Sequence, residues 1–187
     1  MKRVICGALV VLVTRSQAPM YAQGGAPPKL ATDVTAAEVE KVVSAPGGGD
    51  REIKILDMGK YNMGVAVLRR AAIRPGAAIS AINHTNLTEV YYVTSGSGTL
   101  VTGGEVENIR PLAANNELVT TVVGPGNNAT FKKPALERKI GVGDVVVIPA
   151  GVYHGFSEVP DHIEYVSVRP DVEKVLPAGY VHPSIKK

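Results

Sequence analysis

Two stretches of this chain share a pattern that few folds accommodate. The first, GAAISAINHTNLTEVYYVTSG, spans Gly76–Gly96, and the second, GDVVVIPAGVYHGFSE, spans Gly143–Glu158. Each opens on a glycine-marked turn, runs into alternating apolar residues and carries a His or Glu facing one way. Read as two β-hairpins, they bring His84, Glu89 and His154 to one point. Burying such groups unpaired is costly, so packing alone does not explain two imidazoles converging with a carboxylate.

The flanking sequence reads as the rest of a barrel. Period-two alternation marks strands at Ile53–Ile55 and Val65–Ala71, and then at Ala78–His84, Leu87–Thr94 and Gly98–Thr102. Further strands are expected at Leu118–Val123, Val145–Ile148, Gly155–Glu158 and Ile163–Val168. Turn signals such as Pro75-Gly76, Gly103-Gly104 and Gly124-Pro125-Gly126-Asn127 separate them, which indicates an all-β sandwich or jelly roll. Before the strands, Thr35-Ala36-Ala37-Glu38 matches a capping box, and Val39, Val42 and Val43 form one apolar stripe. One short helix over Ala36–Ser44 is expected there, ended by Pro46 and the glycines after it. Residues 103–139 are the least regular section, because Ile109-Arg110-Pro111 and Lys132-Lys133-Pro134 interrupt a ladder. They read as an excursion carrying a strand pair.

With 187 residues, the chain has the length of one domain. Its first residues read as a secretory signal peptide. Met1-Lys2-Arg3 is basic, Val4–Val13 is apolar but too short to span a bilayer, and small residues lead to cleavage after Ala22. The expected organisation is a signal peptide at 1–22, a flexible lead and short helix at 23–50, and the main domain at 51–187. The expected location is periplasmic or secreted, with no stable membrane anchor after cleavage. Cleavage removes Lys2, Arg3 and Arg15, so the 20 basic residues become 17 against 17 acidic ones (20 − 3 = 17). A balanced mature chain has no basic excess, and no aromatic-basic surface points to a nucleic-acid partner. Cys6 leaves too, so stability has to come from packing rather than a disulfide.

The two stretches resemble the paired signature motifs of the cupin superfamily. In the first motif Gly76, His84, Glu89 and Gly96 fall at the family's spacing; in the second, Gly143, Pro149, Gly151 and His154 do so. Two departures stand out. Ile82 occupies the position of the family's first metal histidine, and Glu158 stands where Asn is usual. The resemblance implies a cupin double-stranded β-helix (a jelly-roll barrel) with a short N-terminal helix, and by analogy a homodimer.

His84, Glu89 and His154 are the expected ligands of one divalent metal ion. Two imidazoles and a carboxylate suit Fe(II), with open positions for substrate, and Zn, Cu, Mn or Ni are compatible. Catalytic roles are assigned to Glu89, Tyr91 and Tyr153, the tyrosines supplying hydrogen bonds to the ligands or substrate. Ile79, Val147 and Phe156 are expected to dry the site, with Ile82, Tyr91 and Val93 lining the barrel. Arg69, Arg70 and Arg74 are candidates for greeting an anionic substrate, although such residues more often cover a sheet's outer face. His162 and His182 are read as solvated. The expected function is an exported metal-dependent enzyme of oxygenase, lyase or isomerase type acting on a small organic molecule. The alternative is a non-catalytic or metal-free small-molecule-binding cupin, in which Glu89 and the histidines serve as an acid–base set.

Overall fold

The computed structural model describes residues 28–186; the expected signal peptide lies outside the described residues. The chain folds as α1 (Ala36–Val43), β1 (Gly49–Asp57), β2 (Asn62–Ile73), β3 (Ser80–His84), β4 (Glu89–Pro111), β5 (Gly126–Gly141), β6 (Val145–Ile148) and β7 (His154–Asp171). All of the strand pairings are antiparallel.

The strand order is β1-β2-β7-β3-β5-β4-β6, and β4 also pairs with β7. That extra pairing closes β7, β3, β5 and β4 into a ring, a jelly roll in which long strands serve two sheets. β4 pairs with β6 and β7 in one sheet and continues against β5 in the other. The interior holds Leu100, Ile163, Tyr91, Tyr165 and Val93, each essentially without solvent exposure. Each such side chain contributes about 1.5–3 kcal/mol of apolar burial.

The expected helix forms. The Thr35 side chain accepts from the Glu38 amide (3.3 Å), and the Thr35 amide donates to the Glu38 carboxylate (2.9 Å), which completes the capping box. Val42 buries fully against Ile53 and Val67, so α1 lies on the outside of the β1–β2 pair. Arg51 donates to the Val42 carbonyl (2.6 Å), which also accepts from the Ala45 amide (3.3 Å), and so places a cation at the helix C-terminus.

Residues 103–139 differ from expectation in two ways. β4 runs on to Pro111 and β5 returns antiparallel to it, so most of the section is regular sheet. Pro134 is tolerated because it sits opposite Gly104, beside a bulge at Glu105/Val106. Leu118–Val123 was expected as a strand and instead forms a π-helical turn that buries Val119, Val122 and Val123. A 3-4 spacing of apolar residues is helical, and Gly124, at φ 63°, ends the turn. Gly155–Glu158 and Ile163–Val168 join into the single strand β7.

The two hairpins lock together through their backbones. The Gly151 amide donates to the His84 carbonyl (2.7 Å), and the Asn83 side chain donates to the Gly151 carbonyl (3.3 Å). Gly155 lets β7 approach β3 closely, since a Cβ there would lie 2.1 Å from the Ser80 carbonyl oxygen. As a result Ile82 pairs directly with His154.

Candidate metal centre

Alternation on three strands places the expected ligands on one inner face. His84 ends β3, Glu89 begins β4 and His154 begins β7, and all three side chains are buried. Their ligand atoms lie within 4.8 Å of one another. Among the described residues this is the one group of His, Cys, Asp or Glu side chains so placed. One carboxylate oxygen, Glu89 Oε2, lies 3.2 Å from His84 Nε2 and 3.1 Å from His154 Nε2. The imidazole centroids are 5.2 Å apart.

The ring orientations bear on what can sit between them. His154 Nδ1 is 3.0 Å from the Val152 carbonyl oxygen. A carbonyl only accepts, so Nδ1 carries the proton, and Nε2 presents either a lone pair or a second proton toward Glu89. A lone pair there would face carboxylate oxygen, an arrangement that a cation between them relieves. His84 turns Nε2 to the same oxygen, while its Nδ1, on the far side of the ring, is buried without a hydrogen-bond partner, so no hydrogen bond fixes its tautomer and Nε2 can present a lone pair. An ion bonded at about 2.1 Å to ligands at right angles separates them by about 3 Å, which matches both nitrogen–oxygen spacings. The donor set therefore fits a divalent ion.

Glu89 is held as an anion from behind. Burial would push its carboxyl up, but Arg169 and the two imidazoles outweigh burial and hold it well below the usual carboxylate range. Arg169 Nε and Nη2 lie 2.9 and 2.8 Å from Glu89 Oε1, and the Ser167 hydroxyl donates to the same oxygen (3.2 Å). Tyr91 donates its hydroxyl to Oε2 (3.0 Å), and burial, with the Glu89 charge beside it, keeps the phenol protonated.

Arg169 is itself fully buried and also meets Asp50 (2.5 Å), Glu52 (3.3 Å) and the Val122 carbonyl (3.1 Å). Burial would lower its pKa, but the three carboxylates outweigh that and raise it well above the ordinary value. Burial pushes Glu52 up to about 8 despite Arg169, so Glu52 is mostly neutral near pH 7. Gly64 makes room for it, since a Cβ there would lie 2.7 Å from Glu52 Oε1.

The group opens onto a cavity of about 640 Å³, within the range of small-molecule sites. Leu68, Ile82, Val123 and Phe156 form its apolar walls, with Tyr91, Arg70 and Asn128 among its polar ones. Ile82 and Tyr91 thus line the cavity as expected, and Phe156 helps to dry it. Other expected neighbours lie elsewhere. Tyr153 and Ile79 pack against Ala81, Val101, Ala129 and Phe131 and do not line the cavity. Val147 points outward and is 62% exposed, because Val146 and Ile148 take the inner face of β6. Val93 belongs to the closed core.

The remaining singled-out residues separate clearly. Arg69 points outward and pairs with Glu164 (3.2 Å), whereas Arg70 points inward. His162 lies between Ser95 Oγ (2.8 Å from Nε2) and Asp161 (2.6 Å from Nδ1), so it is partnered rather than simply solvated. Asp161 is 89% exposed and none of the three lines the cavity, so they join two strands rather than form a nucleophile site. His182 caps the short 3-10 turn Pro183–Ile185 through Ser184.

A family model described as Cupin matches residues 56–171. The chain belongs to the cupin family. Several solved structures resemble this cupin at low identity. A Bacillus halodurans protein aligns at 17% identity and a TM-score of 0.44, covering 84% of this chain and 93% of its own. A Klebsiella pneumoniae protein with a double-stranded β-helix domain aligns at 16% and 0.41, covering 77% and 94%. The DMSP lyase DddQ of Ruegeria pomeroyi aligns at 14% and 0.36, covering 67% of this cupin and 45% of the lyase. No curated protein matches the chain.

Proposed function

We propose that this cupin is an exported, metal-dependent enzyme acting on a small organic molecule, of oxygenase, lyase or isomerase type. One observation carries the reading: a single carboxylate oxygen faces two imidazole nitrogens at 3.1 and 3.2 Å on the wall of a cavity of about 640 Å³. His84, Glu89 and His154 would hold the ion, which when bound supplies Lewis-acid polarisation of a substrate oxygen. Arg169 and Ser167 keep Glu89 ionised through Oε1, so that Oε2, which accepts from Tyr91, faces the two imidazoles as the ligand oxygen. The Val152 carbonyl fixes the His154 ring. Tyr91 donates its hydroxyl proton to Oε2 (3.0 Å), which orients that ligand oxygen, and its hydroxyl oxygen remains able to accept a hydrogen bond from substrate. Ile82 brings no donor of its own, so the place beside His154 is left to substrate or water.

Metal analysis of wild-type protein and of a His84→Ala/His154→Ala variant, both purified from the exporting compartment, tests the reading. Near-stoichiometric metal in the wild type and none in the variant is expected. Equal content in both rejects it. The second reading is a metal-free binding module, favoured by the fact that the same nitrogen–oxygen spacings suit direct ion pairs. It requires ligand-dependent thermal stabilisation that chelator leaves intact, and no turnover with any added metal.

The basic, apolar and small-residue segments of 1–22 support export to the periplasm or beyond. N-terminal sequencing of the exported protein beginning at Gln23 is the expected result. No helix among the described residues is long and apolar enough to cross a membrane.

A homodimer is proposed from the outer sheet face. Val168, Val90 and Val147 form one cross-strand row and Val166, Tyr92 and Val145 the next; the second row continues into Val67, which α1 already covers. Val145 and Val147 are each 62% exposed, and Tyr92 is 51% exposed. On β7, β4 and β6 the rows carry no charge, the cations Lys54 and Arg51 entering them only on β1, and they end at β6, whose far edge pairs with no described strand. A second copy supplies both a matching apolar face and a strand edge. Light scattering is expected to give a dimer mass for the wild type and a monomer mass for Val145→Lys/Val147→Lys; a monomeric wild type ends the proposal.

A further inference from the structure

Arg70 is the one cation of the β2 arginine pair that faces inward, and no carboxylate pairs with it directly; Asp50, on the same cavity wall, acts on it only at longer range. Along β2, Leu68 and Arg70 share the inner face while Arg69 points out to its ion pair with Glu164. The Arg70 guanidinium donates from Nε to the Tyr165 hydroxyl (3.2 Å) and lies over the Phe156 ring, 5.5 Å from its centroid. Among the described residues no carboxylate comes within ion-pair distance of it, and its two terminal nitrogens have no hydrogen-bond partner. Asp50, the acidic side chain on the same face of β1, lines the cavity too; its Oδ2 is bound to Arg169 and its Oδ1 has no hydrogen-bond partner, and neither oxygen pairs with Arg70. Arg70 therefore presents a charged, planar fork to the cavity that holds His84, Glu89 and His154.

A guanidinium held by one phenol and one ring face is partly desolvated but not neutralised, and a carboxylate supplies what is missing in the fitting geometry. The neighbouring walls are apolar, namely Leu68, Ile82, Val123 and Phe156, so the body of such a ligand is compact and apolar. A buried aromatic pair connects Arg70 to the metal centre. Tyr165 stacks on Tyr91 with centroids 4.1 Å apart, and Tyr91 reaches Glu89. A single free positive charge matches one carboxylate better than a dianionic phosphate, because Arg69 is already paired.

We propose that Arg70 is the specificity-determining residue of this cavity and that the substrate class is a small monocarboxylate with an apolar body. Its carboxylate sits on Arg70, and its other end lies toward His84, Glu89 and His154. The placement of the reacting end rests on the metal-centre reading; the carboxylate subsite does not need a bound ion.

The test is calorimetric titration of metal-stripped protein with benzoate and cyclohexanecarboxylate, and with the matching neutral amides. The wild type is expected to bind at least one acid about tenfold or more tightly than its amide, which corresponds to about 1.4 kcal/mol. Arg70→Gln is expected to bind acid and amide alike. Arg70→Lys, which keeps the charge without the fork, is expected to retain part of the preference. In the His84→Ala/His154→Ala variant the preference for acid persists, which separates this subsite from the fate of the metal reading. Equal affinity for acid and amide in the wild type, binding of neither acid, or an undiminished preference in a folded Arg70→Gln variant overturns the proposal.

Discussion

Arg169 grips one oxygen of Glu89 and leaves the other to the histidines: Nε and Nη2 lie 2.9 and 2.8 Å from Oε1, while Oε2 faces both imidazoles. The same guanidinium reaches Asp50 and Glu52, so one buried cation organises three carboxylates. Arg169→Met is therefore expected to cost about 3–5 kcal/mol in urea unfolding, since it strands buried negative charge rather than merely deleting a contact. Adding Glu89→Gln to Arg169→Met should recover part of that loss, and a strictly additive double variant would show that the two residues do not act together.

Glu52 and Glu89 predict opposite pH limbs of stability. Glu52 is raised from an ordinary 4.5 to about 8, so between those values the folded state binds a proton that the unfolded chain has released. Its contribution is full below about pH 4.5 and is lost as pH rises to about 8. Glu89 is depressed, so its contribution is present above the unfolded value and is lost as pH falls toward the folded one. Glu52→Gln mimics the neutral acid and is expected to flatten the decline in melting temperature between pH 5 and pH 8, a difference of order a few kcal/mol at the upper end. An unchanged slope would remove Glu52 as its source.

Tyr91→Phe removes the hydroxyl that Glu89 Oε2 accepts while leaving the ring on Tyr165. A hydrogen bond to a charged group contributes about 1.5–3 kcal/mol, and loss of a partner to a metal ligand weakens metal binding by about 10- to 100-fold. Competition for zinc with a chromophoric chelator measures the second figure, and an affinity equal to wild type would confine Tyr91 to packing.

Ile82→His supplies a fourth donor at a position that already faces the cavity and pairs with His154. Metal affinity is expected to rise by about tenfold or more, or about 1.4 kcal/mol. Turnover is expected to fall, because the new ring takes the place proposed for substrate. Unchanged affinity in a folded variant would mean that position 82 does not reach the ion.

The two motifs made the triad legible because their glycines set the turns and their spacing set the parity of His84, Glu89 and His154. The charges behind the site gave no such local signal. Arg169 meets Glu89 across 80 residues and Glu52 across 117, so only the strand register brings them together. A partial clue lay in β7, where Ile163, Tyr165, Ser167 and Arg169 alternate on the buried face. In β1 a bulge between Glu52 and Lys54 breaks the alternation, so Ile53 packs under α1 while Ile55 falls on the face of Asp50 and Glu52, and a simple period of two could not reveal that buried acids share that face. Val145-Val146-Val147 has no alternation to read, so the outward turn of Val147 could not be told from composition. Tyr153 sits in the turn before β7, where strand parity does not yet apply.

Because β4 carries Glu89 and Tyr91 near one end and is stitched into both sheets along its length, the centre has no half-assembled form. A slip of one residue would turn both side chains to solvent and would simultaneously mismatch β5, β6 and β7. Release of a bound ion on heating and collapse of the sheet signal should therefore coincide in temperature, with the ion acting as a reporter of the entire barrel.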